Sequence, residues 1–322
     1  MEKRNLKQTD LEVSRLCFGT MTFGGQADEA VSQRLVDCCI DAGINFFDTA
    51  NVYNQGRSEE ILGKALGNRR RNIVLASKVR GAMGESPEDK GLSRAAIHKA
   101  IDASLKRLGT DYLDIYYLHQ PDYDVAIEET LEAMDGLVRA GKVRYPAASN
   151  YAAWQMADMM WIARQKGYRA ATIAQPMYNL LARGIEQEFL PMAERFGVSS
   201  VVYNPLAGGL LTGKHQQEQP LVGSRFDRNQ MYLDRYWHPA YFTAVEELRR
   251  IADKAGRSLV SLSLNWILHH TRADCVILGA SKPQQLEENL KTADEGALTA
   301  DAVAECDAVW AALRGITPKY NR

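Results

Sequence analysis

The stretch DAGINFFDTANVYNQGRSEEILGKAL, residues 41–66, decides the fold and marks where chemistry is expected. A helix end is followed by an apolar run that closes on Asp48, a polar loop that holds Tyr53, and the start of another helix. In α/β proteins the loops after the carboxyl ends of strands carry the reactive groups, so Asp48 and Tyr53 are candidate functional residues. The competing interpretation is that Asp48 only caps the loop and Tyr53 packs against it.

The next two strand-like runs also end in residues suited to proton transfer. Lys78 closes NIVLASK, and His119 closes LDIYYLH. If these strands are parallel neighbours, Asp48, Tyr53, Lys78 and His119 meet at one end of a sheet. Taken singly, Lys78 could be a solvated strand-end lysine and His119 an ordinary loop histidine, so the argument rests on the four together.

Composition bounds the class of protein. With 322 residues, 46% of them hydrophobic and 25% charged, the chain can bury a large core. The formal net charge of -1 gives no electrostatic reason to expect nucleic acid or an anionic membrane as a partner. Five cysteines without CxxC spacing predict neither a disulfide framework nor a zinc site, and no metal is expected. No apolar run reaches signal-peptide or membrane-spanning length, so a cytoplasmic protein is expected. The sequence does not predict whether the protein forms an oligomer.

Strand-like and helical stretches alternate along most of the chain. After a predicted hairpin at residues 3–14, strand-like runs recur near residues 16, 44, 73, 113, 144, 172, 199 and 275. This pattern predicts an α/β fold, a (β/α)8 TIM barrel with an N-terminal β-hairpin and extra C-terminal helices. An open doubly wound sheet is the main competitor, but FGTMTFGGQ after the first strand lacks the GxGxxG spacing of that fold.

One barrel repeat is longer than the others. A loop rich in glycine, proline and polar residues runs from Leu206 to Pro239, and helices are predicted at 240–255 and 258–269. A tail helix is predicted at 299–314. Because no change in composition marks a linker, residues 1–322 are expected to form a single domain.

Seven motifs together carry a family resemblance that covers nearly the whole chain. They are INFFDTANVYNQGRSEEILGKAL, ASK, SLKRLGTDYLDIYYLH, GKVRYPAASN, QPMYN, YNPLAGGLLTGK and GASKPQQLEENL. In this order they resemble the aldo-keto reductase family, in the branch that is similar to aldehyde reductases and potassium-channel β subunits. The resemblance implies the barrel fold, reduction of a small-molecule carbonyl with NADPH, and catalytic roles for Asp48, Tyr53, Lys78 and His119.

Elementary chemistry supports the same roles. A free tyrosine has a pKa near 10, so it relays protons poorly at neutral pH unless a neighbour favours its anion. A lysine ammonium at about 4 Å supplies at most roughly 4 kcal/mol, or about three pK units, at an effective dielectric of about 20. We therefore expect Tyr53 to be the general acid, Lys78 to tune it, Asp48 to anchor the lysine, and His119 to orient the carbonyl.

The resemblance also assigns residues to the cofactor. Ser149, Asn150 and Gln175 would bind the nicotinamide carboxamide, and Tyr203 would stack on its ring. First-loop and strand-end contacts would come from Thr20, Met21, Gln26 and Asp48. The pyrophosphate would lie near Asn204, Pro205, Leu206, Gly208 and Lys214, and the adenosine end near Arg225, Gly279, Ser281, Lys282, Gln285, Glu288 and Asn289. For Tyr203 the alternative is a role in barrel packing, and for Ser149 and its neighbours an ordinary turn.

Cations, a hydroxyl and an amide near the adenosine end favour NADPH over NADH. They are Lys214, Arg225, Ser281, Lys282 and Gln285. A 2′-phosphate carries about two negative charges and prefers cations with hydroxyl or amide donors, and no acidic residue is placed to bind a free 2′-hydroxyl. Lys282 and Arg225 could instead be solvated surface charges. The run GGLLTGK also satisfies GxxxxGK, but His215 replaces the required Ser or Thr and no helix is predicted to follow, so a phosphate loop of nucleotide hydrolases is rejected.

Two departures from the family pattern affect local geometry. Pro146 and Ala147 stand in the fifth strand of the predicted barrel, where proline removes a ladder donor near Ser149. Asn54 follows Tyr53 where glycine is more usual, and asparagine can still take the turn conformation.

Substrate specificity is expected in the loops. The candidate positions are Met21 and Phe23, residues 83–90, Tyr123, and residues 231–237. Four aromatic residues are expected to form an apolar or sugar-stacking rim: Phe23, Tyr232, Tyr236 and Trp237. Two other functions stay open: a NADPH-binding sensor similar to potassium-channel β subunits, and a phosphate-binding barrel isomerase that needs no nicotinamide.

Overall fold

Eight parallel strands close into a barrel in the computed structural model, which describes residues 1–316. Neighbouring strands of the barrel are also consecutive in the sequence, and the last strand pairs with the first to close the ring. A two-stranded antiparallel hairpin, β1 Lys3–Asn5 and β2 Glu12–Ser14, precedes them. The barrel strands are β3 Leu16–Gly19, β4 Phe46–Asp48, β5 Val74–Val79, β6 Leu113–Leu118, β7 Val143–Ser149, β8 Ile173–Gln175, β9 Ser199–Val202 and β10 Cys275–Leu278.

This arrangement confirms the predicted TIM barrel and its hairpin. Every barrel strand has at least three consecutive buried residues, as expected when helices cover the outside and side chains fill the inside. β7 continues through Pro146, which is paired opposite Tyr116, so the proline does not interrupt the strand.

The helices begin and end close to where the sequence predicts. They are α1 Glu29–Asp41, α2 Arg57–Leu66, α3 Arg94–Leu108, α4 Ile127–Arg139, α5 Ala153–Lys166, α6 Phe189–Phe196, α7 Gln230–Tyr236, α8 Pro239–Lys254, α9 Leu259–His269, α10 Pro283–Ala293 and α11 Ala300–Arg314. The Ser93 hydroxyl accepts the amide of Ala96 at the start of α3, and Gly109 ends that helix with φ +62°. Pro283 begins α10, where a missing N–H costs nothing. The short helix α7 lies inside a stretch predicted as loop.

The chain divides into two compact units. The first contains the hairpin, the whole barrel and helices α1 to α6, in Met1–Pro176, Glu188–Val202 and Asp274–Leu286. The second consists of Met177–Gln187, Tyr203–Ala273 and, among the described residues, 287–316. That residues 1–322 form one domain stays a prediction, and its last part, 317–322, lies outside the described residues.

Within the second unit, Arg183 joins three segments of the chain. Its guanidinium binds Glu186 at 2.7 Å and Asp307 on α11 at 2.6 Å, and lies 4.8 Å from the ring centre of Trp266 on α9. Burial lowers the pKa of Arg183, but the two carboxylates outweigh burial and raise it above its ordinary value. Of the helices among residues 1–316, none is long and apolar enough to cross a membrane.

Candidate active site

The four predicted catalytic residues converge at one end of the barrel, in the first unit. Asp48 is the last residue of β4, and Lys78 lies in the neighbouring strand β5. His119 follows β6, which is paired with β5, and its amide donates to Val79 O at 2.9 Å. Tyr53 begins the turn after β4, and its ring centre lies 5.9 Å from that of His119.

Lys78 lies at the centre of this cluster and is fully buried. Its ammonium donates to the Asp48 carboxylate, to Thr49 O at 2.8 Å and to Tyr53 Oη at 3.3 Å. Burial alone would lower the pKa of Lys78, but the negative charge of Asp48 and the contact with Tyr53 raise it above its ordinary value. The lysine is therefore a fixed cation with all three donors used.

Asp48 is buried as deeply, and both of its oxygens are occupied. Lys78 binds Oδ1, and Gln175 Nε2 donates to Oδ2 at 2.9 Å. Burial raises the pKa of Asp48, and these two donors oppose the rise. The sequence did not anticipate that Gln175, expected to hold the nicotinamide, also orients this carboxylate.

His119 stays neutral at physiological pH. Burial first, and then the charges of Lys78 and Arg80, lower the pKa of His119 from 6.5 to about 3. A neutral imidazole keeps one N–H donor and one acceptor nitrogen. His119 can therefore donate a hydrogen bond to a carbonyl oxygen without adding a charge.

The turn that carries Tyr53 depends on left-handed backbone. Asn54 has φ 48° and Gln55 has φ 54°, which confirms that asparagine can take the turn here. Asn54 Nδ2 donates to Met21 O at 3.2 Å and to Phe23 O at 2.7 Å. These bonds tie the loop after β3 to the tyrosine turn.

A second buried polar network supports the same turn, and the sequence did not reveal it. Glu59, in the first turn of α2, is fully buried and accepts from Ser77 Oγ and from Arg107 Nε at 2.7 Å. A side chain at Gly56, where the turn meets α2, would lie 2.8 Å from Arg107 Cδ. Arg107 thus holds α2, β5 and the tyrosine turn together. The sequence offered only two signals for this network, the acidic Glu59 in SEE and the basic Arg107 in SLKRLG.

Three predicted nicotinamide-binding residues are neighbours. Ser149 and Gln175 are paired across β7 and β8, and Ser149 Oγ donates to Gln175 O at 2.9 Å. Asn150, at φ 62°, donates from Nδ2 to His119 O at 2.8 Å and to Ser149 Oγ at 3.1 Å. Amide and hydroxyl groups adjoining His119 are a donor and acceptor set that fits a carboxamide.

The start of α10 offers a donor set that fits a phosphate. Ser281 donates from its amide, at 3.0 Å, and from its hydroxyl, at 3.2 Å, to Gln285 Oε1. Lys282 is exposed and forms no ion pair with any described carboxylate. A side chain at Gly279 would come no closer than 3.7 Å to Gly19 O, so the glycine is not required by packing within the protein.

Other predicted cofactor residues belong to the second unit. Asn204, at φ 60°, accepts from Tyr232 Oη at 3.4 Å, while its Nδ2 is buried without a partner among the described residues. Arg225 donates to the same Tyr232 Oη at 3.2 Å. A side chain at Gly208 would lie 2.8 Å from the Tyr232 ring. The other predicted cofactor-binding residues of the second unit are Tyr203, Pro205, Leu206, Lys214, Glu288 and Asn289.

Lys214 is not followed by a helix until α7, which agrees with the rejection of a nucleotide-hydrolase phosphate loop. In the loop after β3, Met21 is half-buried and Gln26 is exposed. The Thr20 hydroxyl is used within the protein, where it bonds to Ser58 Oγ at 2.8 Å and Asp48 O at 3.2 Å.

The expected aromatic rim is wrong for three of its four members. Phe23 is fully buried, with its ring centre 6.0 Å from that of Phe18. Tyr232 and Tyr236 are also buried, and Tyr236 Oη accepts from Asn179 Nδ2 at 3.0 Å. These rings pack inside their units, because loops that cover a core must supply apolar residues of their own.

Several known proteins are similar to this chain in sequence. The sequence profile described as Aldo/keto reductase family matches residues 15–311. An Arabidopsis thaliana protein named as a probable voltage-gated potassium channel subunit beta is 38% identical, over 91% of this chain and 92% of its own. Rat aflatoxin B1 aldehyde reductase member 2 is 36% identical over 94% and 86%. A Bacillus subtilis protein named as an uncharacterized oxidoreductase is 35% identical over 91% of each chain.

A buried ammonium bound to a carboxylate and a phenol, beside a neutral imidazole, is suited to proton transfer to a carbonyl oxygen. The family whose profile matches residues 15–311 generally uses nicotinamide cofactors. The chain belongs to the aldo/keto reductase family and is an oxidoreductase that acts on carbonyl groups.

Proposed function

We propose that this protein reduces an aldehyde or ketone to the alcohol with NADPH, reversibly, and that Tyr53 supplies the proton. The observation that supports this most directly is the contact of Lys78 Nζ with Tyr53 Oη at 3.3 Å, with Asp48 as the lysine's counterion. When bound, the nicotinamide supplies the hydride.

The chain's own residues divide the remaining work. Lys78 donates to the phenol oxygen and stabilises the phenolate that forms when Tyr53 gives its proton to the substrate. Asp48 keeps the ammonium in place. His119, neutral and adjacent, donates its N–H to the same carbonyl oxygen and fixes the direction of the C=O bond.

Preference for NADPH is the finer part of the proposal. Ser281 and Lys282 at the start of α10 present an amide, a hydroxyl and an ammonium, which suit a 2′-phosphate. In the second unit, Lys214 and Arg225 add two further cations. We assign Ser281 and Lys282 to the 2′-phosphate, and we keep Lys214 and Arg225 as candidate phosphate-binding residues of the second unit.

The test is a panel of aldehydes and ketones, each mixed with the protein and either NADPH or NADH. We expect the absorbance of NADPH to fall with at least one carbonyl, and kcat/KM with NADH to be at least about 10-fold lower, the loss expected for one missing charge-assisted contact. No oxidation with any carbonyl, despite NADPH binding, would reject the enzyme activity.

A sensor is the second candidate, because one relative of 38% identity is named as a potassium channel subunit beta. Stopped-flow measurement separates the two. A sensor would oxidise its bound NADPH once and then turn over negligibly, whereas an enzyme would continue at the same rate.

We further propose that the two units act as one domain and that the protein works in the cytoplasm. None of the five cysteines, all within residues 1–316, forms a disulfide, which fits a reducing compartment. The small carbonyl is the only partner proposed.

A further inference from the structure

Arg80 directly follows β5, and contacts on both sides place its backbone between two catalytic residues. On one side, Val79 O accepts the amide of His119 at 2.9 Å. On the other, a side chain at Gly81 would lie 2.7 Å from Cβ of Val52, the residue before Tyr53. Arg80 therefore lies at the end of the barrel where the reacting carbonyl is expected.

The backbone of Arg80 is in a conformation that side chains disfavour. Its φ is 143°, a value that glycine adopts freely and other residues rarely adopt. A glycine is the next residue, Gly81, yet the strained position holds an arginine. Strained backbone of this kind is found mostly at functional sites, so it supports a role for the Arg80 side chain.

Arg80 is half-buried, and its guanidinium charge is not paired with a carboxylate of the described residues. Gln120 Oε1, in the amide orientation that satisfies both groups, accepts from Arg80 Nε at 3.3 Å and from Nη1. No carboxylate of residues 1–316 forms an ion pair with Arg80. A neutral amide fixes the direction of the guanidinium but does not compensate its charge.

Two acidic residues of the flanking loops have other partners. Asp122, three residues after His119, accepts the amide of Leu92 at 2.7 Å, and Asp89 pairs with Lys99 at 2.8 Å. The charge of Arg80 is felt at the reaction centre, because it contributes to the lowered pKa of His119 after burial and Lys78.

We propose that Arg80 binds a carboxylate carried by the substrate, so that this enzyme prefers aldehydes or ketones that are also acids. A guanidinium fork that is oriented but uncompensated matches the planar carboxylate group. This inference rests on the proposed function, since it names the substrate class of the same site. The carbonyl end would meet Tyr53 and His119 while the acid end binds Arg80.

The test compares an acid with its neutral ester. 4-Formylbenzoate and methyl 4-formylbenzoate carry the same reacting aldehyde and differ in charge. We expect the wild type to favour the acid in kcat/KM, and Arg80→Met to reduce the acid-to-ester ratio by about 10- to 100-fold, the range for a lost charge-assisted contact. The ratio cancels any effect of the lost charge on His119, because that effect acts on both substrates.

Three further variants control the result. Arg80→Gly removes the side chain and relieves the backbone, so it should lower the ratio without loss of folding. Arg80→Lys keeps the charge without the fork and should give an intermediate ratio. Arg164→Met removes an exposed arginine of α5 and should leave the ratio unchanged. An equal loss for acid and ester, or a wild type without preference for the acid, would overturn the proposal.

A binding measurement keeps this proposal separate from the proposed function. If the wild type reduces no carbonyl of the panel, the proposed function fails, and calorimetry with 4-(hydroxymethyl)benzoate and NADP+ still examines Arg80. A dissociation constant at least about 10-fold higher in Arg80→Met would support the carboxylate site. Equal dissociation constants, or no binding to the wild type, would refute it.

Discussion

Lys78 Nζ lies 3.3 Å from Tyr53 Oη, and the same ammonium is bound to Asp48. The lysine is thus shared between a permanent anion and a group that becomes an anion only when it gives up its proton. Because Asp48 keeps Lys78 charged in the resting state, the cation is already in place when the phenolate forms, and no reorganisation is needed. Several consequences of this relationship can be measured.

Tyr53→Phe should abolish reduction and leave cofactor binding intact. The substitution removes the one hydroxyl that Lys78 contacts, and keeps the ring beside His119. We expect kcat to fall at least about 100-fold, the usual contribution of a general acid, with an NADPH dissociation constant within a factor of about two. Tyr168→Phe, which alters a half-buried tyrosine just after α5 and outside the predicted site, is the matched control and should have wild-type kcat. A Tyr53→Phe enzyme of unchanged rate would show that another group is the acid.

Lys78→Met should destabilise the fold more than Lys78→Met combined with Asp48→Asn. The single change leaves a buried carboxylate without its cation, which typically costs about 3–5 kcal/mol, whereas the double change removes both charges. Urea unfolding of the wild type, the two single variants and the double variant gives the coupling free energy. Additive effects of the two changes would mean that the ion pair contributes no coupling. Lys78→Met and the double variant should both lose reductase activity.

How far the sequence predicts this site depends on the distance between partners along the chain. Asp48, Tyr53, Lys78 and His119 each follow or end a strand-like run, so local patterns place them once the barrel is assumed. Gln175 donates to Asp48 from 127 residues away, and no local pattern reports that pairing.

Burial of aromatic residues was predicted less well, for a related reason. Phe23 and Tyr236 stand in segments without helical or strand periodicity, where the sequence does not show which side faces the core. Arg80 was missed because its φ of 143° has no signature in a non-glycine residue. The cofactor residues were assigned by resemblance alone, and their roles stay predictions.

His119 should make the protein less stable as the pH falls from about 6.5 to about 3. Its folded pKa of about 3 lies below the ordinary 6.5, so in this window the unfolded chain binds a proton that the folded chain does not. The free energy of unfolding should therefore decrease by about 1.4 kcal/mol per pH unit from this group. The contribution of His119 is obtained by comparing the free energies of unfolding of the wild type and His119→Gln at several pH values. A difference between them that does not change with pH would mean that His119 titrates normally.

Arg107→Met should lower both stability and kcat. It leaves Glu59 buried without its cation and removes the side chain that packs against Gly56 under the tyrosine turn. We expect a loss of about 3 kcal/mol, partly recovered when Glu59→Gln is added, because the neutral amide needs no counterion. A misplaced Tyr53 should reduce kcat by about 10-fold or more while KM changes little. Unchanged kcat in a folded variant would limit the network to a structural role.

Lys282→Met should weaken NADPH binding and leave NADH binding unchanged. The ammonium of Lys282 follows Ser281 at the start of α10 and forms no ion pair within the described chain. Its loss should raise the NADPH dissociation constant about 10-fold, and high salt should reduce the difference because the lysine is exposed. Fluorescence titration with both cofactors makes the measurement, and Lys291→Met in the last turn of α10 serves as control. If NADPH and NADH were weakened equally, Lys282 would contact a part that the two cofactors share, and the preference for NADPH would have to come from Lys214 or Arg225.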